Sequence, residues 1–114
     1  MAESMSEHMT KTLDRLAGLP QYVVAAVDGA ALGGGAELLM CADWVVASAD
    51  CRVGFVHIRL GVSPGWGGGR RLIRRVGRSA ALRILVEGNR MRGEEALTLG
   101  MVDQLTSDPV VDVA

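Results

Sequence analysis

Asp28-Gly29-Ala30-Ala31-Leu32-Gly33-Gly34-Gly35-Ala36-Glu37-Leu38 is the stretch on which the reading of this chain turns. Ahead of it, Tyr22-Val23-Val24-Ala25-Ala26-Val27 is apolar and rich in β-branched residues, the mark of a buried strand. Behind it, the residues from Ala36 to Ala42 favour helix, and a helix over Gly34–Ala42 is expected. Strand, glycines and helix start together bring bare backbone N–H groups against a ligand. Glycine removes the Cβ that would block close approach, and the first N–H groups of a helix lack internal partners. An oxygen gaining negative charge is stabilised at such a place. Glu37 then falls in the first helical turn. A structural alternative stays open on these residues alone: the glycines serve close packing, and Glu37 complements the helix dipole. Gly33-Gly34-Gly35 has neither the G-x-G-x-x-G spacing of a dinucleotide fold nor the Gly-Lys-Ser/Thr ending of a phosphate loop. An oxyanion is a better candidate than nicotinamide or ATP.

The bulk numbers set the frame. At 114 residues the chain is at most one domain, large enough for a core and small for an enzyme. Hydrophobic content of 49% with mean hydropathy +0.25 exceeds what so short a chain needs, although no apolar run reaches the ~20 residues of a membrane span. The excess is expected to face a partner or further chain. Net charge is −1, yet ten of the twelve basic residues, all arginine, lie between Arg52 and Arg92. Cys41 and Cys51 suggest neither a disulfide framework nor a metal cluster, and no metal site is expected. No cationic segment leading into an apolar one is seen near the start, so the cytoplasm is the default location.

Outward from the glycines, residues 1–18 read as an amphipathic helix with Met5, Met9, Leu13 and Leu16 at helical spacing, a stripe for core or interface. Gly18 and Pro20 end it. Asp43–Ala47 is a second short strand, and strand, helix, strand implies a right-handed crossover in a parallel sheet. Cys51–Val56 looks extended. A second glycine-rich loop, Gly61 to Gly69, leads into a helix over Arg70–Val76. Ser79 reads as N-cap of a helix over Ala80–Val86, Glu94–Leu99 as a further helix, and Met101–Leu105 as a last extended piece. Residues 106–114 read as a frayed tail.

Ala31-Leu32-Gly33-Gly34-Gly35-Ala36-Glu37-Leu38, Cys41-Ala42-Asp43, Leu60-Gly61-x-x-Pro64-Gly65-Trp66-Gly67-Gly68 and Arg71-Leu72 follow one another in order. Together they resemble the crotonase (enoyl-CoA hydratase/isomerase) superfamily, with the core motifs over residues 19–105. The resemblance implies an α/β crotonase-like fold, here its middle part. It also implies an acyl thioester of coenzyme A as substrate, coenzyme A entering as part of that substrate with no separate bound cofactor.

By resemblance, the Gly34 N–H is one of two oxyanion donors, and Glu37 is the first of two acidic residues that hydratases use for acid–base work. Ala31, Leu32, Gly33, Gly65 and Trp66 border the substrate. The second acidic position, four residues before Gly61, holds His57 here. Phe55-Val56-His57 followed by Pro64-x-Trp66-Gly67-Gly68 looks more like the ethylmalonyl-CoA decarboxylase branch. A histidine also serves as acid or base near neutral pH; the structural alternative is a histidine paired to a backbone carbonyl. The family's second oxyanion donor comes from an upstream loop, where this chain reads as helix. A truncated piece, or half of a split enzyme completed by a partner or homo-oligomer, is expected.

Trp66 either lines the acyl pocket or anchors its loop. Arg70, Arg71, Arg74, Arg75 and Arg78 form a basic helix face, read as solvated or paired with acidic residues of a partner. No aromatic residues interleave them, so nucleic acid is not expected. The reaction this resemblance favours first is loss of CO₂ from a malonyl-type thioester. Hydration or isomerisation of an enoyl thioester is the second reading, and a non-catalytic interaction module the third.

Overall fold

The computed structural model describes residues 2–112, and side chains from Met5 to Val110. Among the described residues, two small parallel sheets carry six helices and one 3₁₀ turn. Helix α1 spans Ala2–Ala17, and strands β1 (Val24–Val27) and β2 (Ala30–Leu32) lead into α2 (Gly34–Leu39). Then come β3 (Trp44–Ala47), β4 (Arg52–Gly54) and a 3₁₀ turn over His57–Leu60. Helices α3 (Gly68–Val76), α4 (Arg78–Glu87) and α5 (Gly93–Leu99), strand β5 (Gln104–Leu105) and α6 (Pro109–Asp112) complete the order.

The parallel crossover expected from the glycine stretch is present: β3 lies between β1 and β5, parallel to both, with Ala25 opposite Val45 and Val46 opposite Gln104. Within the glycine stretch the chain forms β2, a strand the sequence reading missed, parallel to β4 with Ala31 opposite Val53. Three alanine and leucine residues between glycines give no alternation to read.

Two aspartates fix how these strands start. The Asp43 carboxylate accepts the Val23 N–H at 2.8 Å, and Asp103 accepts the Val45 N–H at 2.8 Å. Arg75 donates to Asp103 at 2.9 Å and to the Ala42 carbonyl at 3.2 Å. One guanidinium thus ties α3 to the ends of two strands. Arg71 pairs with Asp14 of α1 and donates to the Trp66 carbonyl. These contacts correct the solvated or partner-facing role expected for the arginine face: Arg71 and Arg75 are used inside the chain, while Arg70, Arg74 and Arg78 are exposed. The core under the sheet is built from Val45, Val53, Phe55, Leu72, Ile84 and Met101 with their neighbours.

Other expectations also change. Of the α1 stripe only Leu13 is buried, Met5 being 60% exposed, and the helix is held largely by polar ties. Ser6 and Thr10 hydroxyls both donate to the Gly65 carbonyl, at 2.6 and 3.2 Å. Ser79 does not cap α4. Gly77, at φ 89°, makes the sharp α3–α4 turn and receives the Ala81 N–H on its carbonyl, so the helix starts at Arg78. The 106–114 tail contains a helical turn, Pro109–Asp112, packed against β1, with Pro109 fully buried. Proline at a first helical position is preset for that turn.

The outer edge of the molecule is open. Carbonyls of Val23 and Val27 accept N–H groups from the β3 segment, so odd-numbered residues face β3. Val24 and Ala26 therefore turn their backbone groups outward. Gly29 and Gly33 bond across to β4 in the same way, leaving Ala30 and Leu32 outward. Among the described residues no strand pairs with this edge.

Candidate functional site

Glu37 and His57 stand twenty residues apart in sequence and meet in the interior. Glu37 is 2% exposed and His57 9%. Nε2 of His57 lies 2.8 Å from Oε1 of Glu37. The second carboxylate oxygen, Oε2, accepts the backbone N–H of Trp66 at 2.8 Å and that of Gly68 at 3.1 Å. Gly68 is the first residue of α3, so its N–H has no partner within its own helix.

The second glycine loop is thus a cradle for Glu37. Its carboxylate caps the positive end of α3, not that of α2, on which it is borne. Gly68 allows this approach, because a Cβ there would collide with the Glu37 side chain.

His57 opens the 3₁₀ turn, next to Phe55 with ring centroids 5.7 Å apart. Its Nδ1 is enclosed and has no hydrogen-bond partner among the described residues. The residue borders a cavity of about 510 Å³ walled in part by Ile58, Val62, Pro64 and Val86.

Gly34 is the first residue of α2, with Gly33 as cap at φ 57°. Its N–H belongs to those a helix cannot satisfy internally. The Trp66 indole lies across Gly34, so a Cβ at that position would strike the ring. Trp66 is half-buried: its N–H holds Glu37 while its ring roofs the α2 start. The remaining candidates divide. Gly33 spends its N–H on the Gly54 carbonyl at 3.0 Å, so it has none left to offer a ligand. Gly65 is fixed through its carbonyl by α1, and Leu32 is half-buried in β2. Ala31 faces a different hollow, about 550 Å³, that runs along the open edge beside Val23, Val27 and Leu38.

Ser6 and Thr10 were not singled out in the sequence. Their helix reads as an apolar stripe, and nothing local announces that its polar face will hold the Gly65 loop.

Both thiols are free and buried. Burial pushes Cys41 up from the ordinary thiol range, opposed by nearby Arg71, and pushes Cys51 up, with Asp50 adding to it. Among the described residues no group of three or more His, Cys, Asp or Glu could hold a metal ion. None of the described helices is long and apolar enough to cross a membrane.

The sequence model of the enoyl-CoA hydratase/isomerase family matches residues 1–113, and the chain belongs to that family. Among its relatives, ethylmalonyl-CoA decarboxylase of Xenopus laevis is 44% identical over 97 residues, 85% of this chain and 32% of the relative. A Bacillus subtilis (strain 168) protein named as a probable enoyl-CoA hydratase is 39% identical over 98 residues, 86% of this chain and 38% of its own. The crystal structure of enoyl-CoA hydratase from Thermoplasma volcanium GSS1 superposes with TM-score 0.91 at 30% identity, over 98% of this chain and 45% of that one. The fold is therefore crotonase-like, and the chain spans about a third of the length of the relatives it matches.

Proposed function

We propose that this chain contributes the proton-handling part of a site acting on an acyl thioester of coenzyme A through an enolate. Gly34 N–H would hold the thioester oxygen, with Glu37 and His57 managing protons and Trp66 bounding the acyl group. The observation that carries the reading is the buried Glu37–His57 pair at 2.8 Å, directly behind the α2 start.

Loss of CO₂ from a malonyl-type thioester fits this pair best. That reaction needs enolate stabilisation and a proton donor, not two carboxylates to activate water. The ethylmalonyl-CoA decarboxylase relatives support it by name. The hydratase relatives support a second reading, hydration or isomerisation of an enoyl thioester. A third, of another class, is a non-catalytic subunit that keeps the fold for assembly.

The open β1/β2 edge, its apolar hollow and the exposed Val24, Leu38 and Trp44 support association, with a second copy or with a polypeptide supplying a strand for that edge. Such a partner would also bring the second oxyanion donor.

The test is turnover of malonyl-type and enoyl coenzyme A substrates by this chain alone, then with the product of any neighbouring gene. Activity only with the partner is expected. Gly34→Val should then reduce it by at least the roughly 10²–10³-fold that one oxyanion donor is worth. No turnover in either case would favour the interaction module. Brisk turnover by the chain alone would mean the second donor lies within these 114 residues.

A further inference from the structure

We infer that Glu37 does not itself exchange protons with substrate but fixes the His57 ring through Nε2, making Nδ1 of His57 the atom through which protons pass. This assignment deepens the thioester reading and rests on it for the identity of the substrate, but not for the geometry.

Glu37 has no oxygen to spare. Oε2 takes the Trp66 and Gly68 N–H groups, and Oε1 faces His57 Nε2. Two backbone donors converge on Oε2, so any proton of this carboxyl would have to sit on Oε1. A protonated Oε1 would donate to Nε2 and force the ring proton onto Nδ1. There it would be an enclosed N–H with no acceptor, a costlier orphan than an enclosed lone pair. The arrangement that satisfies more groups places the proton on Nε2, donated to Glu37. Nδ1 is then the single nitrogen of the pair left for chemistry, on a residue that borders the cavity beside Val62 and Pro64. Glu37 is a positioning residue, and His57 the catalytic one.

The step balances on these atoms. When a malonyl-type thioester loses CO₂, the bond to the departing carboxylate breaks and its electron pair passes to the thioester enolate. With substrate beside His57, the substrate's carboxylate supplies the acceptor that an Nδ1–H lacks among the described residues, so the ring can be doubly protonated. After CO₂ leaves, the α-carbon takes that Nδ1 proton. The ring is left neutral with Nε2–H still on Glu37, and water returns a proton to Nδ1.

The experiment is nitrogen NMR of the histidine rings in the chain itself, at a pH where both are neutral, with exposed His8 on α1 as the internal reference. The expected result is an Nε2–H tautomer at His57. Glu37→Gln sharpens it. Trp66 and Gly68 N–H groups require an oxygen where Oε2 stood, so the amide NH₂ must face His57. An NH₂ only donates, so Nε2 must accept and the ring proton must move to Nδ1. Reversal of the tautomer in Glu37→Gln is therefore expected. The effect on kcat, not the tautomer, separates a positioning role from a merely structural one.

A wild-type Nδ1–H tautomer, or the same tautomer in both proteins, overturns the proposal; the wild-type measurement decides even if the variant fails to fold. In the active assembly, Glu37→Gln should lower kcat by roughly 10²-fold, the lower end for an acid–base group, while KM changes little. An unchanged kcat would overturn the positioning role. The two readings fail separately. The expected tautomers without thioester turnover would remove the substrate assignment and keep the ring geometry. The wrong tautomer with brisk turnover would do the reverse.

Discussion

The Glu37 pocket and the outer edge of β1 and β2 are joined by a few residues of chain, yet they are finished to very different degrees. Around Glu37, both carboxylate oxygens, two backbone N–H groups and a histidine nitrogen are mutually satisfied within 3.1 Å. Along the edge, the outward backbone groups of Val24, Ala26, Ala30 and Leu32 meet no strand among the described residues, and Val24 is 48% exposed. The cradle around Glu37 and His57 is complete within one chain, because it needs only α2, the 3₁₀ turn and the start of α3. The edge has no such closure among the described residues. Local hydrogen bonding can be closed by a short chain, whereas a sheet edge can be closed only by another strand.

The widest break between the two regions should come from His57. In an assembly that turns over a thioester, His57→Ala should lower turnover by roughly 10²–10⁴-fold, the range for an acid–base group. It also leaves Oε1 of a buried carboxylate without its partner, at a cost of about 1–3 kcal/mol, so the melting temperature should fall as well. The burial of Glu37 ties this substitution to stability as well as to turnover. His57→Gln, which can still offer an N–H, should recover stability without recovering turnover. Recovery of both would remove His57 from the chemistry.

A smaller effect separates two adjacent glycines of α3. A Cβ on Gly68 would meet the Glu37 side chain, whereas nothing lies within 4 Å of one on Gly69. Gly68→Ala should destabilise by about 1–3 kcal/mol through overpacking. Gly69→Ala should stabilise by about 0.5–1 kcal/mol, since alanine restricts the unfolded chain and favours helix. Chemical denaturation of the two variants checks both. Equal effects would mean that the cradle around Glu37 is slack.

At the edge, Val24→Lys combined with Ala26→Lys should change folding stability by no more than about 0.5 kcal/mol per substitution, as for other surface changes. The same pair should weaken association, because lysines on an edge oppose strand addition. Sedimentation reads the outcome. A wild-type chain that is a monomer at micromolar concentration would show that the edge tolerates water without a partner.

The least effect concerns the thiols, which lie away from the contrast and calibrate it. Burial raises both Cys41 and Cys51 in the folded chain. As pH climbs through the ordinary thiol range, the unfolded chain loses protons first and the folded one retains them. Stability is therefore full below that range and falls as pH rises through it. Unfolding free energy measured from neutral to alkaline pH should decline, and Cys51→Ala should make the decline shallower.

Much of this was legible in the sequence. Val23–Val27, the glycines and Glu37 announce strand, turn and helix, because β-branched runs, missing Cβ atoms and helix formers act locally. The ordered motifs placed the chain in its family, and the resemblance, with His57 four residues before Gly61, marked the two residues that the fold brings together. Where Glu37 points was not legible. A carboxylate in the first turn of one helix reads as a partner for that helix, and only packing turned it onto the start of α3. Arg71 and Arg75 looked like a surface because helical periodicity says nothing of Asp14 or Asp103 arriving from distant segments. Ser79 lost its expected role as cap to Gly77, whose positive φ set the α4 entry, and Pro109 found burial against the sheet where composition suggested a loose end. Sequence fixes what each short segment can do on its own. The choice of hydrogen-bond partner across segments belongs to tertiary structure, because a buried polar group must take whichever partner the fold brings within about 3 Å.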